Sequence, residues 1–228
     1  MSILALDTAT PSTVVALCED DGTLLEARDD PPAGERPRHA AAVLALAEEL
    51  LGRAGRDWGE LSRIAVGVGP GGFTGLRIGI ATARALSQAH GLALVGISSL
   101  RALAVGAQPD AGPRPVLAAI DARRGEVFAA AWSPAGELLV APAAYGPDAL
   151  LQRLGELPDA PFGVGDGVLR FADALAGAGI ATPDAGSPLH RVSGAALCRL
   201  GASSGPVARD ALVPDYRREP DAKPPRVP

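Results

Sequence analysis

The sequence has 228 residues and is poor in cysteine, lysine and aromatic residues. Its two cysteines, Cys18 and Cys198, form no CxxC pair, and its three histidines do not cluster. A disulfide framework or a cysteine-based zinc site is therefore not expected. Lys223 is the only lysine beside twenty arginines, and aromatic residues make up 4% of the chain. This bias toward arginine over lysine is typical of GC-rich coding and carries little functional information.

Long hydrophobic runs and a strong net charge are absent as well. The apolar stretches are interrupted by Gly, Arg or Pro within about a dozen residues, whereas a membrane-spanning helix needs about 20. No basic segment precedes the apolar start at residues 1–6, so a secretory signal is not expected. The net charge of −5 and the isoelectric point near 5.2 argue against a nucleic-acid-binding field over the whole surface. We therefore expect a soluble, cytoplasmic protein without membrane contact.

Hydrophobic residues are plentiful, at 47%, together with 28 glycines and 21 prolines. This hydrophobic fraction is too high for a disordered chain, and the glycines follow no triplet period, which excludes collagen. A chain of this length can form one large domain or two small lobes.

The first half of the sequence predicts a mixed sheet flanked by helices. Short β-branched or continuously apolar segments that end at turn signals indicate strands, and apolar residues at three- and four-residue spacing indicate helices. The predicted strands are 3–6, 13–18, 23–28, 61–68 and 92–97, and the predicted helices are 38–54, 74–90 and 98–106. Three antiparallel strands followed by helix-linked parallel strands predict an α/β lobe with a mixed five-stranded sheet.

A Pro- and Gly-rich bridge at 108–115 separates this lobe from a second, smaller one that repeats part of its pattern. We predict lobes at 1–107 and 108–213, and a C-terminal tail at 214–228 that is partly disordered. In the second lobe the predicted strands are 116–120, 126–132 and 137–140, and the predicted helices are 147–155, 167–177 and 192–202. Like the first lobe, it opens with a strand, an aspartate, a turn and a hairpin.

The most informative segment is the glycine-rich sequence GPGGFTGLRIG at residues 69–79. It follows a predicted strand and precedes a predicted helix, a position where backbone N–H groups can hold an anion. It matches neither GxxxxGK[ST] nor GxGxxG, so it indicates neither a Walker-type nor a dinucleotide-binding loop. Gly75, Gly79 and Ala83 recur at four-residue spacing on the helix. We interpret this stripe as a packing face, internal or between subunits, in preference to a phosphate site.

Two aspartates, Asp7 and Asp121, each follow an apolar strand and precede a turn. At the ends of the first strands of two related lobes, they could face each other across a cleft and hold a magnesium-bound nucleotide. The turns that follow them lack the paired glycines that close approach to phosphates requires. We therefore favour strand-capping aspartates and keep a vestigial nucleotide site as the alternative. The loop GVGDG at 163–167 could contact a nucleotide, although a strand-to-helix turn is the simpler interpretation.

The remaining polar candidates indicate no catalytic or metal site. His39 heads the first long helix, but the position four residues further on is Val43, so a two-histidine metal pair is missing. Ser98 and Ser99 are typical of a helix N-cap, and no GxSxG nucleophile motif occurs. Cys198 lies on an apolar helix face and is interpreted as a core residue. We therefore assign no catalytic residue, no metal and no cofactor.

Four segments of the sequence together resemble the TsaB family, formerly called YeaZ. They are ILALDTAT at 3–10, GVGPGGFTGLRIGIATARAL at 67–86, DARRGEVF at 121–128 and PDYR at 214–217. They fall in the family's order across most of the chain, and the central one is the most specific. The resemblance implies the two-lobed fold shared by actin, Hsp70 and the sugar kinases (the ASKHA fold). It also implies an accessory role in forming N6-threonylcarbamoyladenosine at position 37 of ANN-decoding tRNAs.

In that family TsaB is the non-catalytic paralogue of TsaD, which binds metal through a histidine pair on its first long helix and transfers the threonylcarbamoyl group. The resemblance implies that the chain pairs with TsaD, that the ATPase TsaE joins the assembly, and that tRNA is contacted indirectly. A valine at position 43, where TsaD would have its second histidine, fits TsaB and not TsaD. The last residues, 219–228, have no counterpart in the family pattern.

The implied partner surface lies on the helices predicted at 38–54 and 74–90. Helix-on-helix packing requires apolar or small side chains at these spacings. We expect the same surface to form a homodimer when the partner is absent, because large apolar patches rarely stay solvated. The predicted interface residues are His39, Val43, Leu46, Leu50, Gly75, Ile78, Gly79, Thr82 and Ala85.

Two other functions remain open from the sequence. An active ATPase or small-molecule kinase of the same fold would use Asp7 and Asp121 to hold a magnesium-bound nucleotide. A glycopeptidase, an older label for the family, would need an activated nucleophile or a metal set, and the sequence offers neither. Binding and turnover of Mg-ATP would distinguish the first of these from a partner-binding subunit.

Overall fold

The computed structural model describes residues 2–32 and 34–218. The strands are β1 Ile3–Asp7, β2 Thr13–Cys18, β3 Leu24–Asp29, β4 Arg63–Gly69, β5 Ala93–Ser98, β6 Val116–Arg123, β7 Glu126–Trp132, β8 Leu138–Tyr145 and β9 Phe162–Val164. The helices are α1 His39–Ala54, α2 Phe73–His90, α3 Ser99–Ala111, α4 Pro147–Gly155, α5 Asp166–Arg170, α6 Ala172–Gly177 and α7 Gly194–Ser203. Within the two described ranges, no helix combines the length and the apolarity that crossing a membrane requires.

The strands form two sheets with the same core topology. The first has the order β3-β2-β1-β4-β5, and the second has the order β8-β7-β6-β9. The leading strands, β1 and β6, each pair antiparallel with a hairpin strand on one side and parallel with a later strand on the other. The second sheet therefore repeats the first with one parallel strand fewer. This confirms the predicted α/β class, the mixed five-stranded sheet and the smaller related second half.

Successive side chains of a strand point to opposite faces of its sheet, and the apolar ones pack against three layers of helices. In β1, Leu4 and Leu6 point to an outer layer formed by α1 and α2, whereas Ile3 and Ala5 point to the opposite face. That opposite face is covered by α3 and α7, which also cover the inner face of the second sheet, where Ile120 lies. Helices α4, α5 and α6 cover the outer face of the second sheet. The layers therefore run helix, sheet, helix, sheet, helix.

The middle helical layer is shared by both sheets. Helix α7 follows the second sheet in the sequence but packs closely on the first, because a Cβ on Gly194 would lie only 2.6 Å from the Cβ of Ala16. One hydrophobic cluster contains the inner faces of both sheets together with α3 and α7. The predicted lobes, 1–107 and 108–213, therefore share a core, and the position of their boundary stays a prediction.

The predicted end of α3 near Gly106 is wrong. The helix continues to Ala111, and Gly112, at φ 62°, ends it. Gly106 provides close packing instead, since a Cβ at this position would lie 3.0 Å from the Cβ of Ser193. The predicted bridge therefore begins with a helical turn at residues 108–111.

Further details of the second half differ from the prediction: β6 and β8 end at Arg123 and Tyr145, three and five residues beyond their predicted ends. The helix predicted over 167–177 is interrupted at Phe171, which separates α5 from α6. Strand β9 was not predicted, because three residues are too few to show a period.

The start of the predicted C-terminal tail is packed against the fold. The backbone N–H of Asp215 donates to a carbonyl of β4 at 2.7 Å, and the Tyr216 ring stacks on Phe73 with 5.4 Å between centroids. Residues 214–218 are therefore ordered, and the partial disorder predicted for the tail stays a prediction. The rest of the predicted tail, residues 219–228, lies outside the described residues.

Candidate functional site

A cleft of about 1050 Å³ opens between the two sheets at the ends of their leading strands. Its first wall is formed by the β1–β2 turn, the N-terminal end of α1 and the loop that leads into α2. Its second wall is formed by the end of β6 and by Asp166 at the start of α5, and residues 215–218 also line it. The volume is that of a small-molecule site.

Asp7 ends β1 but does not line the cleft. Its carboxylate is fully buried and accepts hydrogen bonds from the Ser99 hydroxyl (2.5 Å) and the backbone N–H of Ala9 (2.7 Å). Burial raises the pKa of Asp7, and these two hydrogen bonds partly oppose the rise. The neighbouring strand carries Gly67, where a Cβ would overlap the carboxylate. Asp7 therefore caps its own turn and holds the start of α3.

Asp121 lies on the outer side of the second sheet, beside Asp166. Its carboxylate accepts a hydrogen bond from the backbone N–H of Arg123 (2.8 Å) and lies 3.5 Å and 3.7 Å from the Arg123 and Arg170 guanidinium groups. The backbone N–H of Asp121 donates to the Asp166 carboxylate at 3.0 Å. Burial and the adjacent Asp121 raise the pKa of Asp166. Asp7 and Asp121 thus point to different layers and do not face each other across the cleft.

The glycines of the GPGGFTGLRIG segment pack α2 against the β1–β2 turn of the same chain. A Cβ on Gly71 would collide with the carbonyl oxygen of Ala9. One on Gly75 would collide with the carbonyl oxygen of Thr8, and one on Gly79 with the Thr8 hydroxyl. That hydroxyl donates a hydrogen bond to the Gly75 carbonyl at 2.7 Å. The stripe of small residues is therefore an internal packing face.

The loop predicted at 163–167 is likewise a close strand-to-helix turn. Gly165 has φ 97°, a conformation that favours glycine. A Cβ on Gly165 or Gly167 would collide with the backbone of Ala119 in β6. The glycines are thus explained by packing of α5 on the second sheet.

His39 is buried at the first wall of the cleft, with 6% of its surface exposed. Its Nδ1 lies 2.8 Å from the Thr13 hydroxyl. Nε2 has no hydrogen-bond partner among the described residues and lies 3.2 Å from the point where a Cβ on Gly75 would stand. Burial lowers the pKa of His39. In the described ranges, no three His, Cys, Asp or Glu side chains are grouped to hold a metal ion.

Five of the nine predicted interface residues are buried within the chain. They are His39, Val43, Leu50, Gly75 and Gly79. Their prediction as interface residues is wrong, because α1 and α2 turn these positions toward the first sheet and the β1–β2 turn. The other four reach the surface: Leu46, Ile78 and Thr82 are half-buried, and Ala85 is exposed.

The solvent-facing side of α1 and α2 carries small or apolar residues. We call this surface the outer face, and its residues are Ala41, Leu44, Ala45, Leu46, Ile78, Thr82 and Ala85. Leu44 is 42% exposed, and charged side chains on α1 begin only at Glu48. Small and apolar residues at exposed positions of two neighbouring helices suit packing against other helices.

One element of the site was missed from the sequence. Residues 215–218 link the two walls, since Arg77 of α2 donates to the Tyr216 hydroxyl at 3.0 Å and Arg218 lies 3.3 Å from Glu126 of β7. The PDYR sequence is part of the resemblance to TsaB, but its irregular pattern predicts no position in space.

Comparison with known proteins matches residues 32–155 to a family model described as "TsaD: tRNA N6-adenosine threonylcarbamoyltransferase". The chain is 41% identical over 128 residues to the Escherichia coli "tRNA threonylcarbamoyladenosine biosynthesis protein TsaB". That match covers 56% of this chain and 53% of the relative, so the chain spans about half the length of the curated relative.

Two other matches extend over nearly the whole chain. An uncharacterized Mycobacterium tuberculosis protein is 30% identical, covering 98% of this chain and 94% of its own. The structure titled "YeaZ from Pseudomonas aeruginosa" is 28% identical, with a TM-score of 0.77 over 94% of this chain and 100% of that one. The repeated sheet topology and the cleft define a two-lobed protein of the actin, Hsp70 and sugar-kinase class. Within it, the chain belongs to the family that the matching model describes, in its TsaB (YeaZ) branch.

Proposed function

We propose that the chain is a non-catalytic, partner-binding subunit in the formation of threonylcarbamoyladenosine on tRNA. The observation that carries this proposal is the 41% identity to the Escherichia coli protein named for that biosynthesis. In the proposed role, the outer face binds a TsaD-type threonylcarbamoyltransferase. A TsaE-type ATPase joins the assembly, which is cytoplasmic, and tRNA is bound through the complex and not mainly by this acidic chain.

The composition of the outer face supports binding to a second pair of helices. Ala41, Ala45 and Ala85 let another helix approach closely, and the exposed Leu44 offers apolar area. Burying this surface removes apolar area from water, which favours association. The interface would therefore be formed by Leu46, Ile78, Thr82 and Ala85 with their alanine and leucine neighbours, and not by the buried half of the predicted set.

The carboxylates near the cleft favour an accessory role over phosphoryl transfer. Magnesium in nucleotide sites is held by carboxylate oxygens that can reach it. The Asp7 carboxylate is enclosed by Ser99 and the backbone of Ala9, and Asp121 faces Arg123. Calorimetric titration with Mg-ATP is expected to give no micromolar binding and no turnover, and micromolar binding with turnover would support the ATPase or kinase alternative.

The proposed role is tested by reconstituting the tRNA modification with and without this chain. Removing it is expected to lower the yield of threonylcarbamoyladenosine at least tenfold when the TsaD-type enzyme, the TsaE-type ATPase and threonylcarbamoyl-AMP are present. Equal yields in the two reactions would contradict the accessory role.

The proposed surface is tested by Ala85→Arg, which places a long charged side chain on the outer face. We expect the Kd for the TsaD-type partner to rise at least tenfold, which corresponds to about 1.4 kcal/mol. Ala202→Arg, at an exposed position of α7, is the matched control and is expected to leave the Kd unchanged. Both variants are expected to keep the parent's circular dichroism spectrum, because both positions face solvent. Equal Kd values for Ala85→Arg and the parent would exclude the outer face as the interface.

A further inference from the structure

The N-terminal ends of two long helices lie together at the first wall of the cleft. Helix α1 begins at His39 and α2 at Phe73, and among the described residues no side chain caps either end. Neither first turn contains an acidic residue. The first N–H groups of a helix have no acceptor within it, and the helix dipole adds a positive potential there. This wall of the cleft is therefore rich in donors.

The His39 side chain is independent evidence for a ligand at the same wall. It is nine-tenths buried and lines the cleft, and its Nε2 is directed toward the start of α2. When the Thr13 hydroxyl donates to Nδ1, the ring proton lies on Nε2. Nε2 then has no acceptor among the described residues, and because His39 lines the cleft its proton is available to a ligand there. An anionic ligand would provide that acceptor.

We propose that the N-terminal ends of α1 and α2, with the Nε2–H of His39, form an oxyanion-binding site for the carboxylate or phosphoryl group of a small metabolite. The cleft of about 1050 Å³ accommodates the rest of such a molecule. The outer face borders this site, since Ala41 and Ile78 belong to that face and also line the cleft, and the tests below therefore use the chain without the proposed partner.

The proposal is tested by NMR titration of the full chain with sodium phosphate and, separately, with sodium acetate, at constant ionic strength set by sodium chloride. We expect saturable shifts of the backbone amides of Ala40, Phe73, Thr74 and Gly75 and of the His39 ring. Tighter binding of phosphate would assign the site to a phosphoryl group, and equal or tighter binding of acetate to a carboxylate. Shifts that grow linearly without saturation, or that centre on surface arginines, would overturn the proposal.

A matched pair of substitutions tests the role of the ring nitrogen. His39→Asn keeps an acceptor for Thr13 where Nδ1 lies but removes the donor at Nε2, whereas His39→Gln places an amide N–H near Nε2. We expect His39→Asn to weaken binding at least tenfold and His39→Gln to weaken it no more than threefold. His90→Asn, at the exposed end of α2, is the control and is expected to bind like the parent. Equal affinity for His39→Asn and the parent would overturn the role of His39.

A second variant keeps the test informative if a His39 substitution disturbs folding. Thr74→Asp changes an exposed residue in the first turn of α2 and supplies a tethered carboxylate to the same N–H groups. It is expected to abolish the saturable shifts while leaving the amide spectrum of the second sheet unchanged. Unchanged anion binding in this variant would overturn the site.

Discussion

At the scale of single residues, the position of α2 depends on two glycines, whose lack of a side chain lets the helix pack closely. Gly75 and Gly79 lie against Thr8, whose hydroxyl bonds the Gly75 carbonyl across 67 residues of sequence. The spacing of these glycines predicts a close-packing face, which the structure contains. It does not predict what the face touches, because an internal turn and a partner subunit both require small residues. Only the tertiary position of the β1–β2 turn decides between them.

We predict that Gly75→Ala destabilises the protein by about 2 kcal/mol or more, because the new Cβ collides with a backbone carbonyl that cannot move aside. Gly52→Ala is the matched control, since Gly52 is an exposed helical glycine whose Cβ would meet nothing within 4 Å. It is expected to stabilise the protein by about 0.5–1 kcal/mol through helix propensity. Urea unfolding of both variants measures the difference, and a Gly75→Ala protein as stable as the parent would contradict the assigned packing.

Asp7 gives a prediction about the pH dependence of stability. Its pKa is raised above the ordinary 3.8 because it is buried, so the folded chain retains a proton that the unfolded chain releases. Ionisation of Asp7 therefore has no effect on stability well below pH 3.8, where the carboxyl is protonated in both states. As the pH rises from there through the raised pKa, its ionisation progressively lowers the free energy of unfolding. Asp7→Asn removes this contribution while its amide oxygen still accepts from Ala9.

Denaturant unfolding at a series of pH values checks this sign. The stability of the parent, relative to Asp7→Asn, is expected to fall as the pH is raised through that window. Asp173→Asn, at an exposed site on α6, is the control and is expected to follow the parent's pH profile. Parallel profiles for the parent and Asp7→Asn would show that the carboxyl titrates alike in the folded and unfolded chains.

At the scale of elements, the two serines at the start of α3 have different roles. The Ser98 hydroxyl accepts from the backbone N–H of Arg101 at 3.3 Å, which makes Ser98 the N-cap. The Ser99 hydroxyl donates instead to Asp7, the last residue of β1. The Ser-Ser sequence predicts the cap, but the partner of the second serine lies 92 residues away and leaves no local signal.

We predict that Ser99→Ala costs more stability than Ser98→Ala. Loss of an N-cap typically costs about 1 kcal/mol. Ser99→Ala leaves a buried carboxylate oxygen of Asp7 without its hydroxyl partner, which costs about 1–3 kcal/mol. Urea unfolding at neutral pH compares the two variants, and the reverse order would refute the assignment of the two roles.

The strands and helices with strong local sequence patterns were predicted most accurately. Strands β1, β2 and β7 and helices α1, α2 and α4 have strong periods or apolar runs, and their bounds lie within one or two residues of the prediction. The predicted end of α3 was misplaced because a glycine such as Gly106 is typical of a helix end. In the structure, Gly106 instead allows Ser193 to pack closely against the helix. The unpartnered Nε2 of His39 could not be predicted either, since it depends on how α1 and α2 meet.

At the scale of the whole molecule, the topology could be predicted and the shared core could not. Repetition of a strand, an aspartate, a turn and a hairpin indicates two related halves, and both sheets have that order. The return of α7 to the first sheet has no sequence signature, because an apolar helix can pack on either sheet. The sequence also identified only part of the outer face. The apolar periodicity of α1 marks the side of the helix that packs into the core, and not the side that faces solvent.

We predict that the isolated chain forms a homodimer through the outer face. The exposed Leu44 and the alanines around it would otherwise remain in contact with water. Light scattering across a dilution series is expected to show a dimer for the parent and for Ala202→Arg, and a monomer for Ala85→Arg. A parent that stays monomeric at all concentrations, or an Ala85→Arg variant that still dimerises, would contradict this prediction.

The position of α7 also has a consequence for synthesis of the chain. The first sheet is complete when β5 leaves the ribosome, but its inner face, which includes Ala16 and Val95, is covered in part by a helix made about a hundred residues later. The nascent first half therefore displays an apolar surface during much of translation, the kind of surface that chaperones bind. A message truncated before Gly194 would yield a product that retains both sheets but is prone to aggregate.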